Sequence, residues 1–253
     1  MLTKTLKPKT LDLIDKYLYL DLPLKIACPY FNNKKLTKMA GLRVQIGKGK
    51  PEEIIEEIKV SALTKGIDLK NLNQEQLIAF LTEQNIGIDC SGLVYHILNK
   101  ENKNRGLGSL SDKLRFTGSF IRKIISKFRS AQNSDVRIFD KNSRTINLKE
   151  VEPGDFIIAL NQKGLERNHI ILITETKKEA DVLREITYLH SIAWSKDGMN
   201  DRGVRTGTIE IINPDLGILN QTWVEKEKIG EANETFKGLN SAEDVKIKRL
   251  NWF

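Results

Sequence analysis

The chain has two cysteines and three histidines, and one cysteine stands where a thiol could react. Cys90 lies in GIDCSGLVYHIL, Gly87 to Leu98, behind Asp89 and ahead of Ser91, and the apolar run after it reads as a helix. The orphan N–H groups and dipole at a helix start favour thiolate and lower a thiol pKa. Gly92 takes side-chain bulk off the first turn, where a substrate could approach closely. The competing reading is packing, since free cysteine is among the most buried residue types. On this stretch alone packing is the better reading; the histidines shift the balance.

His96 sits six positions after Cys90 on the same helix. That is more than one and a half turns away, a poor place for a base. His169 opens HIILITE and His190 closes EITYLH. A regular hairpin turning within KKEAD would set His169 directly opposite His190. Both would share one face with Ile171, Ile173, Tyr188 and Ile186. That geometry suits a general base and the group that orients it. A bulge in ITYLHSIAW would send His190 to the other face.

These residues need elements to hold them. Leu11 to Leu20 reads as a short helix. GKPEEIIEEIKVSALTKG is a firmer one, with Pro51 at its first position, Glu52 and Glu53 complementing the dipole, and Lys65-Gly66 at its end. NQEQLIAFLTEQN follows, with Asn73 as N-cap and Gln76 completing a capping box. TGSFIRKIISKFR, Thr117 to Arg129, is a basic amphipathic helix. Phe120, Ile124, Ile125 and Phe128 form its apolar stripe, with Arg122, Lys123, Lys127 and Arg129 elsewhere. Such a helix is expected to pack its stripe on the core, with a solvated basic back; the other reading is a surface for a membrane or an anionic polymer. After Leu148 the texture changes. VEPGD sets Pro153-Gly154 at the centre of a turn, and FIIAL, HIILITE, EITYLHSIAW and GVRTGTIEII read as strands. Helices first and consecutive strands after predict an α+β fold with an antiparallel sheet. Three regions are expected: helical residues 1–85, a core at 86–215, and a polar tail at 216–253 whose Trp223 and Trp252 dock back.

Composition excludes several classes. The chain of 253 residues is 40% hydrophobic and 29% charged, with a net charge of +8; one substantial core is affordable at this size. Basic balance suits polyanionic company without choosing it. No dinucleotide fingerprint appears. GLRVQIGKGK lacks the Ser or Thr, and the spacing, of a phosphate loop. One Cys with dispersed histidines does not make a structural zinc site, and no cofactor is called for. No apolar run approaches transmembrane length. The N-terminus has no leader pattern, which predicts a cytoplasmic location unless export proceeds without one.

DCSGLV, then PGD and a strand, then a histidine opening HIILIT, then a histidine before the strand of GVRTGTIEI, resembles the NlpC/P-sixty family of papain-like cysteine peptidases. The likeness is most specific at Asp89 to Val94, good in order from Val151 to Ile212, and weak elsewhere. It implies a papain-like fold, with N-terminal helices and the nucleophile helix packed on an antiparallel sheet. It also implies hydrolysis of an amide, the usual substrate being a bacterial cell-wall peptide. By resemblance Cys90 is the nucleophile, His169 the base and His190 the orienting group. Pro29-Tyr30 would supply a tyrosine to the oxyanion site. Asp89 and Ser91 match positions that help hold a substrate's free amine. Two departures stand out: sixty residues separate Tyr30 from Cys90, and the interval from Cys90 to His169 is long. Cysteine before histidine argues against the lipid acyltransferases of the same superfamily, though not against every thiol-dependent acyltransferase. The reading from another class is a catalytically silent module that holds an anionic polymer on its basic face. Nucleic acid is not an expected partner.

Overall fold

A computed structural model of the chain describes residues 1–32, 43–117, 119–162, 167–192 and 202–253, without the side chains of 120–123, 162 and 167. In chain order the helices are α1 (Pro8–Leu18), α2 (Pro51–Thr64), α3 (Gln74–Glu83), α4 (Cys90–Asn104), α5 (Leu110–Lys113), α6 (Phe120–Phe128), α7 (Ser130–Asn133), α8 (Val136–Lys141) and α9 (Glu234–Asn240). The strands are β1 (Leu2–Thr5), β2 (Ser143–Thr145), β3 (Phe156–Gln162), β4 (Arg167–Glu179), β5 (Val182–Ile192), β6 (Gly203–Glu210), β7 (Thr222–Glu225), β8 (Lys228–Ile229) and β9 (Ala242–Leu250). The fold is α+β. Its strands form one antiparallel sheet in the order β2-β9-β3-β4-β5-β6-β7-β8, with β1 pairing on β4 beyond β3.

Local signals account for most boundaries. Pro51 opens α2, and the Glu53 carboxylate accepts from the Lys50 N–H at 2.9 Å. Asn73 and Gln76 exchange side-chain bonds with each other's backbone at 2.9 Å, closing the α3 capping box. Helix α1 starts at Pro8, earlier than the apolar run suggests, because proline suits the first helical position. In VEPGD the Asp155 N–H donates to the Glu152 carbonyl across Pro153-Gly154, and Gly154 has φ of +103°. Only glycine adopts that backbone without strain at the third position of such a turn.

The strand sequences are continuously apolar because both faces of the sheet are buried. Phe156, Ile158, Ile170, Leu172 and Leu189 pack with α1 to α4, whereas Ile157, Ala159, Ile171, Ile173, Ile186 and Tyr188 form a second core with Trp223 and Leu239 of α9. The tail therefore does more than dock back on a finished core. Strand β9 lies between β2 and β3, β7 extends the sheet beyond β6, and Trp223 is fully buried.

The basic helix departs from its expected packing. Among the described side chains of α6, Ser126 is buried, while Ile124, Ile125 and Phe128 are 42%, 52% and 88% exposed. A periodic stripe shows that one helix face is apolar; it does not dictate which way that face points. The side chains of Phe120, Arg122 and Lys123, and residues Gly118, Ala193 and Trp194, lie outside the described residues.

Candidate active site

Strand alternation positions both histidines. His169 pairs with Ala159 in β3, so it shares the face of Ile171 and Ile173, and His190 shares that face through Tyr188 and Ile186. The hairpin turns at Ala180-Asp181, both with positive φ, and Leu172 pairs with Leu189. A regular hairpin centred one residue earlier would have paired Leu172 with Thr187. The displacement is two residues, which keeps the face but makes the histidines diagonal neighbours instead of directly opposed. Two register shifts occur in this hairpin, at Ile173/Glu175 and at Lys177/Lys178, and they cancel. The rings meet, with 2.9 Å between His169 Nε2 and His190 Nδ1.

A third member lies behind them. His190 Nε2 is 2.9 Å from Glu225 Oε2. The same carboxylate accepts from the Tyr188 hydroxyl at 2.8 Å, the Thr235 hydroxyl at 3.1 Å and Arg205 Nη1 at 3.2 Å. Burial alone would raise the Glu225 pKa, but His190, Arg205 and Tyr188 outweigh it and hold the pKa at about 2. Glu225 is thus an ionised acceptor, and His190 Nε2 carries the proton it donates. When His169 Nε2–H donates to His190 Nδ1, the lone pair of His169 is on Nδ1. Burial, aided by His190 and opposed by Glu225, drives the His169 pKa well below its ordinary value, so this ring is neutral at pH 7.

Glu225 was not singled out in the sequence. Its one signal is parity with Trp223 in β7, where burial alternates. Gly207 makes room for the cluster: it lies opposite Tyr188, and a Cβ there would come within 2.3 Å of the tyrosine ring.

Cys90 is the first residue of α4, and the Asp89 carboxylate caps the helix by accepting from the Gly92 N–H at 2.6 Å. The helix packs on the sheet face of Ile170, Leu172 and Leu189, opposite to the face of the histidines. The backbone N–H of Ile170, one residue past His169, acts to lower the thiol pKa. Among the described residues no hydrogen bond joins the thiol to either imidazole. Burial is the main cause that pushes the Cys90 pKa up to about 12; the Asp89 charge adds to it, and Lys48 with the N–H groups of Ile170 and Ser91 opposes. Desolvation therefore outweighs the helix N-terminus here, and the expected lowering of the thiol pKa is reversed.

Tyr30 comes close despite its distance in sequence. It forms a parallel bridge with Ile88, the Ile88 N–H donates to the Pro29 carbonyl at 2.9 Å, and Asn32 Nδ2 donates to the tyrosine hydroxyl at 3.3 Å. The intervening residues hold α2, α3 and Lys48. The Lys48 ammonium is buried and donates to Asp89 Oδ1 at 2.9 Å, Ser91 Oγ at 2.6 Å and the Ser134 carbonyl at 2.9 Å. Asp89 and Ser91 thus hold an amine of the chain itself. Gly92 likewise faces the chain: a Cβ there would lie 2.8 Å from the Gly47 carbonyl oxygen and 2.9 Å from Lys48 Cδ. The space expected to admit substrate at that point is filled by residues 47 and 48.

No family model matches the chain, and no curated protein and no solved structure matches it.

His96 donates from Nε2 to the Lys48 carbonyl at 2.8 Å, and burial lowers its pKa to about 4. It supports the Lys48 segment. Both cysteines are free thiols, and Cys28, fully buried, is pushed higher in pKa than Cys90. Alkylation by iodoacetamide should therefore be slow at pH 7 for both. At Cys90 it should rise roughly tenfold per pH unit between pH 7 and 9, tracking the thiolate fraction, and Cys28 should lag. Mass spectrometry of the labelled peptides reads this; fast labelling of Cys90 at neutral pH would mean a resting thiolate.

Proposed function

We propose that the chain is a cysteine-dependent amide hydrolase of the papain-like, NlpC/P-sixty type, with Cys90 as nucleophile, His169 as base and His190 as its orienting group. The observation that carries the proposal is the buried line Glu225–His190–His169. Glu225 accepts from His190 Nε2, and a proton on His169 Nε2 donated to His190 Nδ1 leaves the His169 Nδ1 lone pair available as the base. A binding module has no use for so directional an arrangement.

The high thiol pKa and the neutral imidazole favour general-base catalysis over a resting thiolate–imidazolium pair. Because the thiol and the imidazoles lie on opposite faces of the sheet at β4, the reaction requires substrate binding to shift the β4 end at His169 so that Nδ1 reaches the thiol. His169 takes the thiol proton as Cys90 Sγ attacks the carbonyl carbon. The N–H of Cys90, which has no partner within α4, and the Tyr30 hydroxyl stabilise the oxyanion. The C–N bond breaks, the amine leaves with the proton from His169, and water resolves the thioester with His169 again as base.

The substrate class is a peptide, with cell-wall peptides the first choice by resemblance. Because Lys48 already occupies Asp89 and Ser91, a free amine beside the scissile bond is not read there. Defined wall peptides, each with a free and an acetylated N-terminus, should be cleaved alike, with product masses locating the bond. If no peptide or amide is cut, and Cys90→Ala binds an anionic polymer like the parent, the silent-module reading replaces this one.

His190→Asn or His190→Gln should keep partial activity, because an amide can accept from His169 and donate to Glu225. His190→Ala should lose at least about tenfold more, since neither bond survives. Steady-state kcat/KM with melting temperatures checks the ranking. Equal activity in His190→Ala and the parent would remove His190 from the site.

A further inference from the structure

We propose that α6 is a docking element for an anionic lipid surface, lying in the plane of the headgroups. Among its described side chains the packing is the reverse of a packed amphipathic helix: Ser126 faces the protein, and Ile124, Ile125 and Phe128 face water at 42%, 52% and 88% exposure. Lys127 and Arg129, in the same turn as Phe128, are exposed too. Leaving three large apolar side chains in water opposes the hydrophobic effect, so this face needs an occupant.

Charge selects that occupant. Between Asp112 and Asp135 the sequence contains no acidic residue, and it holds Lys113, Arg115, Arg122, Lys123, Lys127 and Arg129. A second copy of the chain would bring the same positive charge to the contact and be repelled. An anionic polymer matches the charge but has no apolar phase for Phe128 and the isoleucines. A bilayer with anionic headgroups supplies both. No helix among the described residues is long and apolar enough to cross a membrane, so the helix lies on the surface.

The element is tied to the candidate site by a short path. Helix α7 follows α6 directly; its Ser130 hydroxyl bonds the Tyr95 hydroxyl of α4, and the Ser134 carbonyl just after it accepts from Lys48 beside Asp89. A lipid surface held by α6 would therefore lie near the start of α4.

Sedimentation of the full chain with vesicles tests this. The parent should bind phosphatidylglycerol–phosphatidylcholine vesicles much more tightly than pure phosphatidylcholine vesicles, with binding falling as salt is raised. Phe128→Ser and Ile125→Ser should each weaken the partition roughly tenfold, the scale of withdrawing one large apolar side chain from a lipid phase. Melting temperatures should stay unchanged, because the replaced side chains are exposed. Leu63→Ser, at an 83% exposed position on α2, should bind like the parent. Cys90→Ala should also bind like the parent, so the result does not depend on thiol chemistry. Equal partition of Phe128→Ser and the parent would overturn the proposal. So would a parent with no preference for anionic vesicles, or a dimer in ultracentrifugation that Phe128→Ser dissociates.

Discussion

Cys90→Ala should lower amide hydrolysis by at least about 10⁴-fold, the scale on which removing a nucleophile acts in enzymes whose catalytic groups work as a unit. Stability should change little, because the substitution removes one sulfur atom and leaves the Asp89 cap on Gly92 in place. Cys28→Ala makes the contrast. Its thiol donates to the Pro29 carbonyl at 3.7 Å, and its own carbonyl receives the Val204 N–H at 2.9 Å. Among the described residues no imidazole or carboxylate hydrogen-bonds it, and burial drives its pKa above that of Cys90. Activity should stay within about threefold of the parent, while the small cavity costs on the order of 1 kcal/mol of stability. The measurement is kcat/KM on whichever peptide is cleaved, with denaturant midpoints for both variants. Comparable losses of activity in two folded variants would remove Cys90 from the role of nucleophile.

The sequence reveals the parts of this site that depend on local rules. That a helix starts at Cys90 follows from the residues around it. The shared face of His169 and His190 follows from the period of two along a strand, and it survives the shift in hairpin register because that shift is an even number of residues. Three features were not legible. Which face α4 packs on is set by the sheet as a whole, and that separates the thiol from the imidazoles by one strand. Glu225 lies 35 residues from His190 on a strand whose place in the sheet is set by pairing with β6, and no local pattern announces that. Desolvation of Cys90 depends on everything packed around the start of α4, so a rule about helix termini gave the wrong sign. The tail misled for a similar reason: a polar composition says little about β9, whose neighbours in the sheet are β2 and β3.

Lys48→Met should destabilise the fold by roughly 3–5 kcal/mol, the cost of breaking a buried ion pair by removing one partner. The side chains of Lys48 and Asp89 are only 7% and 5% exposed, so water does little to replace the ammonium. Three bonds vanish at once: those to Asp89, Ser91 and the Ser134 carbonyl. Asp89 keeps its bonds from the Gly92 N–H and the Ser91 hydroxyl, yet its charge has lost its cation. The double variant Lys48→Met/Asp89→Asn should recover much of the loss, because asparagine still caps the helix and no longer buries an unpaired charge. Urea denaturation of the parent, both single variants and the double variant forms a cycle, and the coupling should exceed about 1 kcal/mol, as expected for groups in direct contact. The thiol offers a second readout. Lys48 lowers the Cys90 pKa and Asp89 raises it, so Lys48→Met should slow alkylation of Cys90 at a given pH, and the added Asp89→Asn should restore part of the rate. If Lys48→Met unfolds at the same urea concentration as the parent, the pair is not a desolvated one. Water would then reach Asp89 and Ser91, and with it the amine of a substrate, making the free N-terminus of a wall peptide something the site can read.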